Sequence, residues 1–235
     1  MGATSKNPGA DPWGVVCALP EELGSLARSA VRTYSRQGFE LRALELDGEA
    51  VLACICGVGK VPAAHGTALL LSEGVRRGLF VVGVCGGLRQ ALSPGTLVHC
   101  ERAIQADSAV RASREAAPDP ELARAWREVA GGELGWFVTA DRPVLSLWRR
   151  LRLARAFRGA CVADMETAAA GAVCARAGVP WAALRAVTDR ATGAGLAAFK
   201  AHFPSQAGRA ADTIPRLLEH LRGARGDGPG SPRQV

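Results

Sequence analysis

Apolar residues come in short blocks along this chain, and most blocks lead into a stretch whose apolar positions recur every three or four residues. GVVCA, from Gly14, reads as a first buried strand. Pro20 then predicts a helix through PEELGSLARSAV, because proline suits the first helical position and Glu21 and Glu22 suit the first turn. FELRALEL and EAVLACICG flank Asp47-Gly48, a two-residue hairpin signal, and so predict an antiparallel excursion. A helix is predicted from Val61 to Arg76. After it, LFVVGV, Leu79 to Val84, is apolar almost throughout, as suits a strand covered on both faces.

Further strands are predicted over 95–100, 134–139, 160–163 and 180–187, and helices over 120–129, 146–158, 165–177 and 205–221. In the last of these, Ile214, Leu217, Leu218 and Leu221 share a face. The alternation predicts an α/β domain over 13–221, with a flexible lead at 1–12 and a disordered tail at 222–235. No internal repeat or second domain is visible.

Composition narrows the function classes. Hydrophobic residues make up 48% of the 235, yet no apolar run approaches the roughly 20 residues of a membrane span. The opening MGATSKNPGADP lacks the character of a signal peptide, so a cytoplasmic location is expected. Seven cysteines lie mostly in apolar contexts without a CxxC pair, and the four histidines are scattered. That pattern predicts reduced core thiols and neither a disulfide framework nor a metal site. The net charge of +7 is carried by arginine, lysine occurring only at 6, 60 and 200. Its densest run is SLWRRLRLARAFR, Ser146 to Arg158, where Leu147, Leu151, Ala154 and Phe157 recur at helical spacing. The run reads as a solvated helix face, with nucleic-acid binding the less favoured alternative, and no nucleic-acid partner is expected.

Candidate chemistry concentrates between Val162 and Asp189. Asp164 and Glu166 stand astride Met165 where a strand gives way to an alanine-rich helix, and the apolar run from Pro180 ends abruptly at Asp189. Ligands bind at the carboxyl ends of parallel strands, where such acids can converge. Acids in a first helical turn also serve simply as caps and dipole partners, and local spacing leaves both readings open. Glu22 is a further acid just past a strand. Gly57-Val58-Gly59-Lys60 invites a phosphate-loop reading, but Cys54 stands where the first glycine belongs and Val61 replaces the serine or threonine. The glycines of Cys85-Gly86-Gly87 would let a ligand approach the backbone, or simply make a turn.

ALPEEL (18–23), GVGKVPAAHGTALLL (57–71), GVCGGL (83–88), ADMETAA (163–169) and LRAVTD (184–189) follow one another in an order and spacing that resemble the nucleoside phosphorylase and methylthioadenosine/S-adenosylhomocysteine nucleosidase family. The resemblance implies a single-domain α/β/α sandwich around a mixed, partly closed sheet, and cleavage of a purine nucleoside's N-glycosidic bond without a cofactor. It implies Asp189 beside the purine N7, Glu166 on the ribose hydroxyls with Met165 against the sugar, and Glu22 activating water. Val58, Cys85, Gly86, Val144 and Thr188 complete the implied substrate-binding set, and a homodimer is implied as well.

Phosphorylases of the family hold phosphate with an arginine and a serine around the central glycine motif. Here that stretch reads Val81-Val82-Gly83-Val84, so water is the expected acceptor and phosphate the alternative. Pro143 stands where methylthioadenosine nucleosidases carry a stacking phenylalanine. GVCGGLRQALSPGTLV and ADRPV look closer to the hopanoid-associated phosphorylases, whose substrate is a lipid-tailed adenosine. A non-catalytic nucleoside binder on the same fold is the remaining alternative.

Overall fold

The computed structural model describes residues 11–110, 114–190 and 195–226. Its strands are β1 (Trp13–Cys17), β2 (Ala30–Arg36), β3 (Phe39–Leu46), β4 (Glu49–Ile55), β5 (Leu79–Gly87), β6 (Leu97–Gln105), β7 (Glu115–Ala116), β8 (Glu133–Thr139), β9 (Ala160–Asp164) and β10 (Trp181–Asp189). The helices are α1 (Lys60–Ser72), α2 (Pro120–Ala130), α3 (Leu147–Ala156), α4 (Thr167–Ala177), α5 (Gly195–Gln206) and α6 (Ile214–Gly226).

All ten strands form one mixed sheet. β10, β6, β8, β9 and β5 follow one another, and a direct β10–β5 pairing closes them into a five-stranded ring. From β5 an open arm continues through β1, β4, β3 and β2. The expected mixed, partly closed sheet is therefore present. α1 and α4 share one apolar core containing Leu69, Leu70, Ala168 and Trp181, and α2 and α6 share another containing Leu122, Trp126, Ile214 and Leu217. α4 lies close to β10 because it presents Gly171 to Trp181, where a Cβ would stand 2.5 Å from the ring. All seven cysteines are buried and free.

Four expectations change. The segment after Pro20 is a 3-10 helix, Pro20–Ser29, broken at Gly24 (φ 55°), and its predicted continuation is β2. The break has a tertiary cause: Gly24 crosses Gly208 backbone to backbone, while the Ser25 amide and hydroxyl each donate to Asp212 at 2.6 Å. The helix expected over 205–221 begins only at Ile214, as α6; residues 205 and 206 end α5, and the turn that carries Gly208 lies between. α6 continues to Gly226, past the Leu221 boundary, and residues 227–235 lie outside the described residues, as do 1–10 of the lead.

The fourth change concerns α3. Of the residues at helical spacing, Leu147 and Leu151 are exposed, and none of the helix's residues is buried. Its inner side is set by Leu153, outside that stripe, and, just beyond its end, by Phe157, the stripe's last member; both pack on Leu88, Val138, Val144 and Ala163. Arg150, on the same side, donates its Nε to the Leu88 carbonyl at 2.9 Å.

Candidate active site

One cavity of about 220 Å³ opens where the ends of β5, β9 and β10 meet the segment after β8. Among its lining residues are Glu22, Val58, Cys85, Gly86, Val144, Met165, Glu166, Thr188 and Asp189, the nine residues singled out from sequence. They come from separate parts of the chain: the 3-10 segment, the loop before α1, the end of β5, the segment after β8, the β9–α4 junction and the end of β10.

At the cavity floor lies a residue the sequence reading passed over. Arg185, in the middle of β10, is 2% exposed. Its Nε lies 3.1 Å from Asp164 Oδ2 and donates to Thr167 Oγ1 at 3.1 Å, its Nη1 donates to the Val84 carbonyl at 3.0 Å, and its Nη2 lies 3.1 Å from Glu166 Oε2. A guanidinium has five donors in a fixed fork, and here that fork sets the relative positions of β9, α4 and β5. The signal was available: an arginine inside WAALRAV must find acids or carbonyls when the strand is buried on both faces.

Asp164 and Glu166 divide the two readings left open above. Asp164 Oδ2 accepts from the Thr167 amide at 2.9 Å, so this residue does the capping work at the start of α4. Its Oδ1 accepts from the Thr139 hydroxyl at 2.5 Å, which ties β8 to the same point. Glu166 is thereby left to face the cavity, its Oε1 accepting from the Gly59 amide at 2.9 Å. The glycine turn before α1 thus supplies an amide to an anion within the protein. Gly59 holds φ 111°, which an L side chain rarely adopts.

Glu22 is held as firmly. Its Oε2 accepts from the amides of Ala18 and Leu19 at 2.8 and 3.0 Å, and its Oε1 from the Val84 amide at 3.0 Å. Gly83 makes this approach possible, since a Cβ there would stand 2.4 Å from Glu22 Oε1 and 3.0 Å from Arg185 Nη1. At the opposite wall Thr188 Oγ1 donates to Asp189 Oδ2 at 3.0 Å and to the Cys85 carbonyl at 3.2 Å. A register shift between Val187 and Asp189 accompanies the last pairing of β10 with β5, at Gly86.

The charge balance is uneven. One guanidinium faces Asp164, Glu166 and Glu22, so the cluster carries surplus negative charge whenever all three acids are ionised. Burial pushes the Glu166 pKa up to about 7; Arg185 and the Gly59 amide oppose the rise, and Asp164 and Glu22 add to it. Burial likewise raises the Glu22 pKa, although Arg185 and its three amide donors pull the other way. For Arg185 burial disfavours the charge, but Asp164, Glu166 and Glu22 outweigh it, and the guanidinium stays protonated. The site therefore contains a fixed cation and, in Glu166, a carboxyl group that exchanges a proton near neutral pH.

The mouth is different in character. Pro143, Leu145, Leu196 and Phe199 line it together with Val58, and Arg142 stands among them. The apolar residues at 196 and 199 come from α5, which the sequence reading did not predict.

The family model described as Phosphorylase superfamily matches residues 12–221. The chain belongs to the phosphorylase superfamily. Among curated relatives, a 5'-methylthioadenosine/S-adenosylhomocysteine nucleosidase of Staphylococcus epidermidis is 24% identical over 226 residues, spanning 88% of this chain and 99% of that protein. The corresponding protein of Shewanella loihica is 26% identical over 227 residues, with the same coverage. Among solved structures, the S-adenosylhomocysteine nucleosidase of Streptococcus pyogenes in complex with 5-methylthiotubericidin superposes with a TM-score of 0.84 at 21% identity, covering 91% of this chain and 98% of that one. The futalosine hydrolase of Helicobacter pylori gives 0.83 at 21% identity, covering 90% and 98%. At these identities the structural matches establish a shared fold.

Two outcomes are expected from the charge cluster. Arg185→Met leaves three acids buried without their cation and should lower the unfolding free energy at pH 7 by about 3–5 kcal/mol. The loss should be smaller at pH 5, where Glu166 holds its proton; urea unfolding at both pH values measures it. Glu166 binds its proton more tightly in the folded chain (about 7) than in the unfolded one (4.5), so its contribution to stability is complete below pH 4.5 and is lost as pH rises to 7. Glu166→Gln should remove that slope, so the wild-type stability relative to the variant should fall between pH 4.5 and 7.

Proposed function

We propose that this member of the phosphorylase superfamily is a purine nucleosidase that hydrolyses the N-glycosidic bond of a 5′-substituted adenosine and releases adenine. The observation that carries the reading is the convergence of Glu22, Glu166 and Asp189 on one cavity whose floor is held by Arg185. The nucleosidase names of the relatives support it.

A purine anion is a poor leaving group, so a proton delivered as the bond lengthens lowers the barrier; such a role is worth on the order of 100- to 10,000-fold. Asp189 is the acid assigned to the base, beside the purine N7. The sugar becomes oxocarbenium-like, and Glu166 on its hydroxyls supports the developing positive charge, with Met165 packed against the ring. Glu22, a carboxylate made more basic by burial and held by three amides, orients and deprotonates the attacking water.

Water is favoured over phosphate on electrostatic grounds. Val84 offers no side-chain donor, and the committed guanidinium of Arg185 cannot also serve a phosphate dianion beside buried carboxylates. Arg142 at the mouth keeps a phosphate-dependent reaction as the second reading. The open mouth, lined by Val58, Pro143, Leu145, Leu196 and Phe199, favours an apolar 5′ substituent, adenosylhopane-like or a methylthio group.

A homodimer fits the same region. Val61 and Val110 are 79% and 61% exposed, and the Lys60–Asp107 ion pair at 2.6 Å ties the start of α1 to the segment after β6. Burial of that patch between two copies should give a dimer mass in sedimentation velocity that Val61→Glu shifts to monomer.

Adenine release, followed by chromatography, from methylthioadenosine, S-adenosylhomocysteine, adenosine and a long-chain 5′-alkyl adenosine tests the function, each with and without phosphate. Release without phosphate is expected, with Asp189→Asn lowering kcat by about 100- to 10,000-fold. Release only with phosphate would make it a phosphorylase. Nucleoside binding without release would make it a non-catalytic binder.

A further inference from the structure

α3 presents two unlike faces. Leu153, with Phe157 just past the helix, is engaged beneath it against the wall that carries Val144, so the helix is already docked on the domain. Leu147, Trp148 and Leu151 project outward, Trp148 at 81% exposure, and with Arg152, Arg155 and Ala156 they line a shallow hollow on the surface. From Arg142 to Ala163 the chain holds six arginines and no aspartate or glutamate. Asp141, the nearest preceding acid, is 3.3 Å from Lys60 and so already has a cation. The apolar outward stripe is also continuous in sequence with the cavity rim, because Leu145 lines the mouth and Leu147 opens α3.

We propose that the outer face of α3 seats the protein on an anionic membrane surface, with the cavity mouth beside the lipid. Leucine and tryptophan on one stripe with flanking arginines is the composition of a helix that lies in the lipid headgroup region. The tryptophan ring suits the boundary between headgroups and acyl chains, and the arginines are attracted to acidic lipids.

The two other occupants fit this face less well. A second copy meeting it about a two-fold axis would set arginines against arginines with no acid to separate them. Single-stranded nucleic acid would need a series of stacking rings, whereas Trp148 is the one aromatic residue in α3 and its neighbours on the stripe are leucines.

Flotation of the full chain with phosphatidylcholine vesicles, with or without phosphatidylglycerol, tests the proposal. No nucleoside is present, so its outcome is separate from that of the nucleosidase assay. The chain should float with the anionic vesicles and remain below with neutral ones, and added salt should weaken the association. The double substitution Trp148→Ser/Leu151→Ser should weaken it at least about tenfold, as should Arg152→Gln/Arg155→Gln. These side chains are exposed, so circular dichroism and the thermal midpoint should match the wild type. Failure of the wild type to float with anionic vesicles, or undiminished flotation of both double variants, overturns the proposal. A single-stranded oligonucleotide bound in place of vesicles, or a dimer that Trp148→Ser/Leu151→Ser abolishes, overturns it in favour of those partners.

Discussion

A guanidinium buried among three carboxylates is the constraint from which the site follows. Arg185 in β10 reaches Asp164 at the end of β9, Glu166 at the start of α4 and the Val84 carbonyl in β5, so four elements must keep register for its donors to be satisfied. A charge taken out of water tolerates little displacement of its partners, and the ring of strands supplies the rigidity. The glycines nearby have the same origin. Gly83 makes room for Glu22 against Arg185, and Gly59 turns its amide toward Glu166.

This arrangement separates holding from reacting. Asp164 is consumed by structure: it caps α4, receives the Thr139 hydroxyl and neutralises part of Arg185. Glu166, two residues on, inherits a cavity-facing position in which burial and neighbouring acids raise its pKa to about 7. The cost of crowding acids around one cation is thus expressed as proton affinity at the groups that face a ligand, a common way for a fold to prepare acid–base chemistry near neutral pH. At the mouth the character turns apolar, and α3 extends that character onto the outer surface while its inner side braces the wall at Val144.

Much of this was legible from residue order. The apolar runs at Val15, Phe80, Phe137 and Leu184 are strands because a segment covered on both faces needs no polar alternation. The Asp47-Gly48 hairpin was legible from the positive φ its turn requires, 51° and 82° in the structure. The candidate site residues were legible only through motifs that resemble a family, and nine of the residues lining the cavity are among them. Arg185 was not, because in LRAVTD the terminal acid draws attention, while the meaning of an arginine inside an apolar strand depends on which acids surround it.

What the sequence by itself determined is the alternation of strands and helices and the hairpin, which rest on local periodicity and backbone preference; the short list of acids rested on the order and spacing of motifs that resemble a family. Only the tertiary structure decided where the first helix breaks, where the last one begins and which side of α3 turns inward. Gly24 breaks the first helix because Gly208 and Asp212, more than 180 residues away, occupy its other side. Leu147, Leu151 and Phe157 share helical spacing, but the cluster beneath α3 receives only Phe157 of the three, together with Leu153. The same holds for the acids: whether a carboxylate caps a helix or faces a cavity depends on donors brought in by distant segments, which residue spacing does not encode.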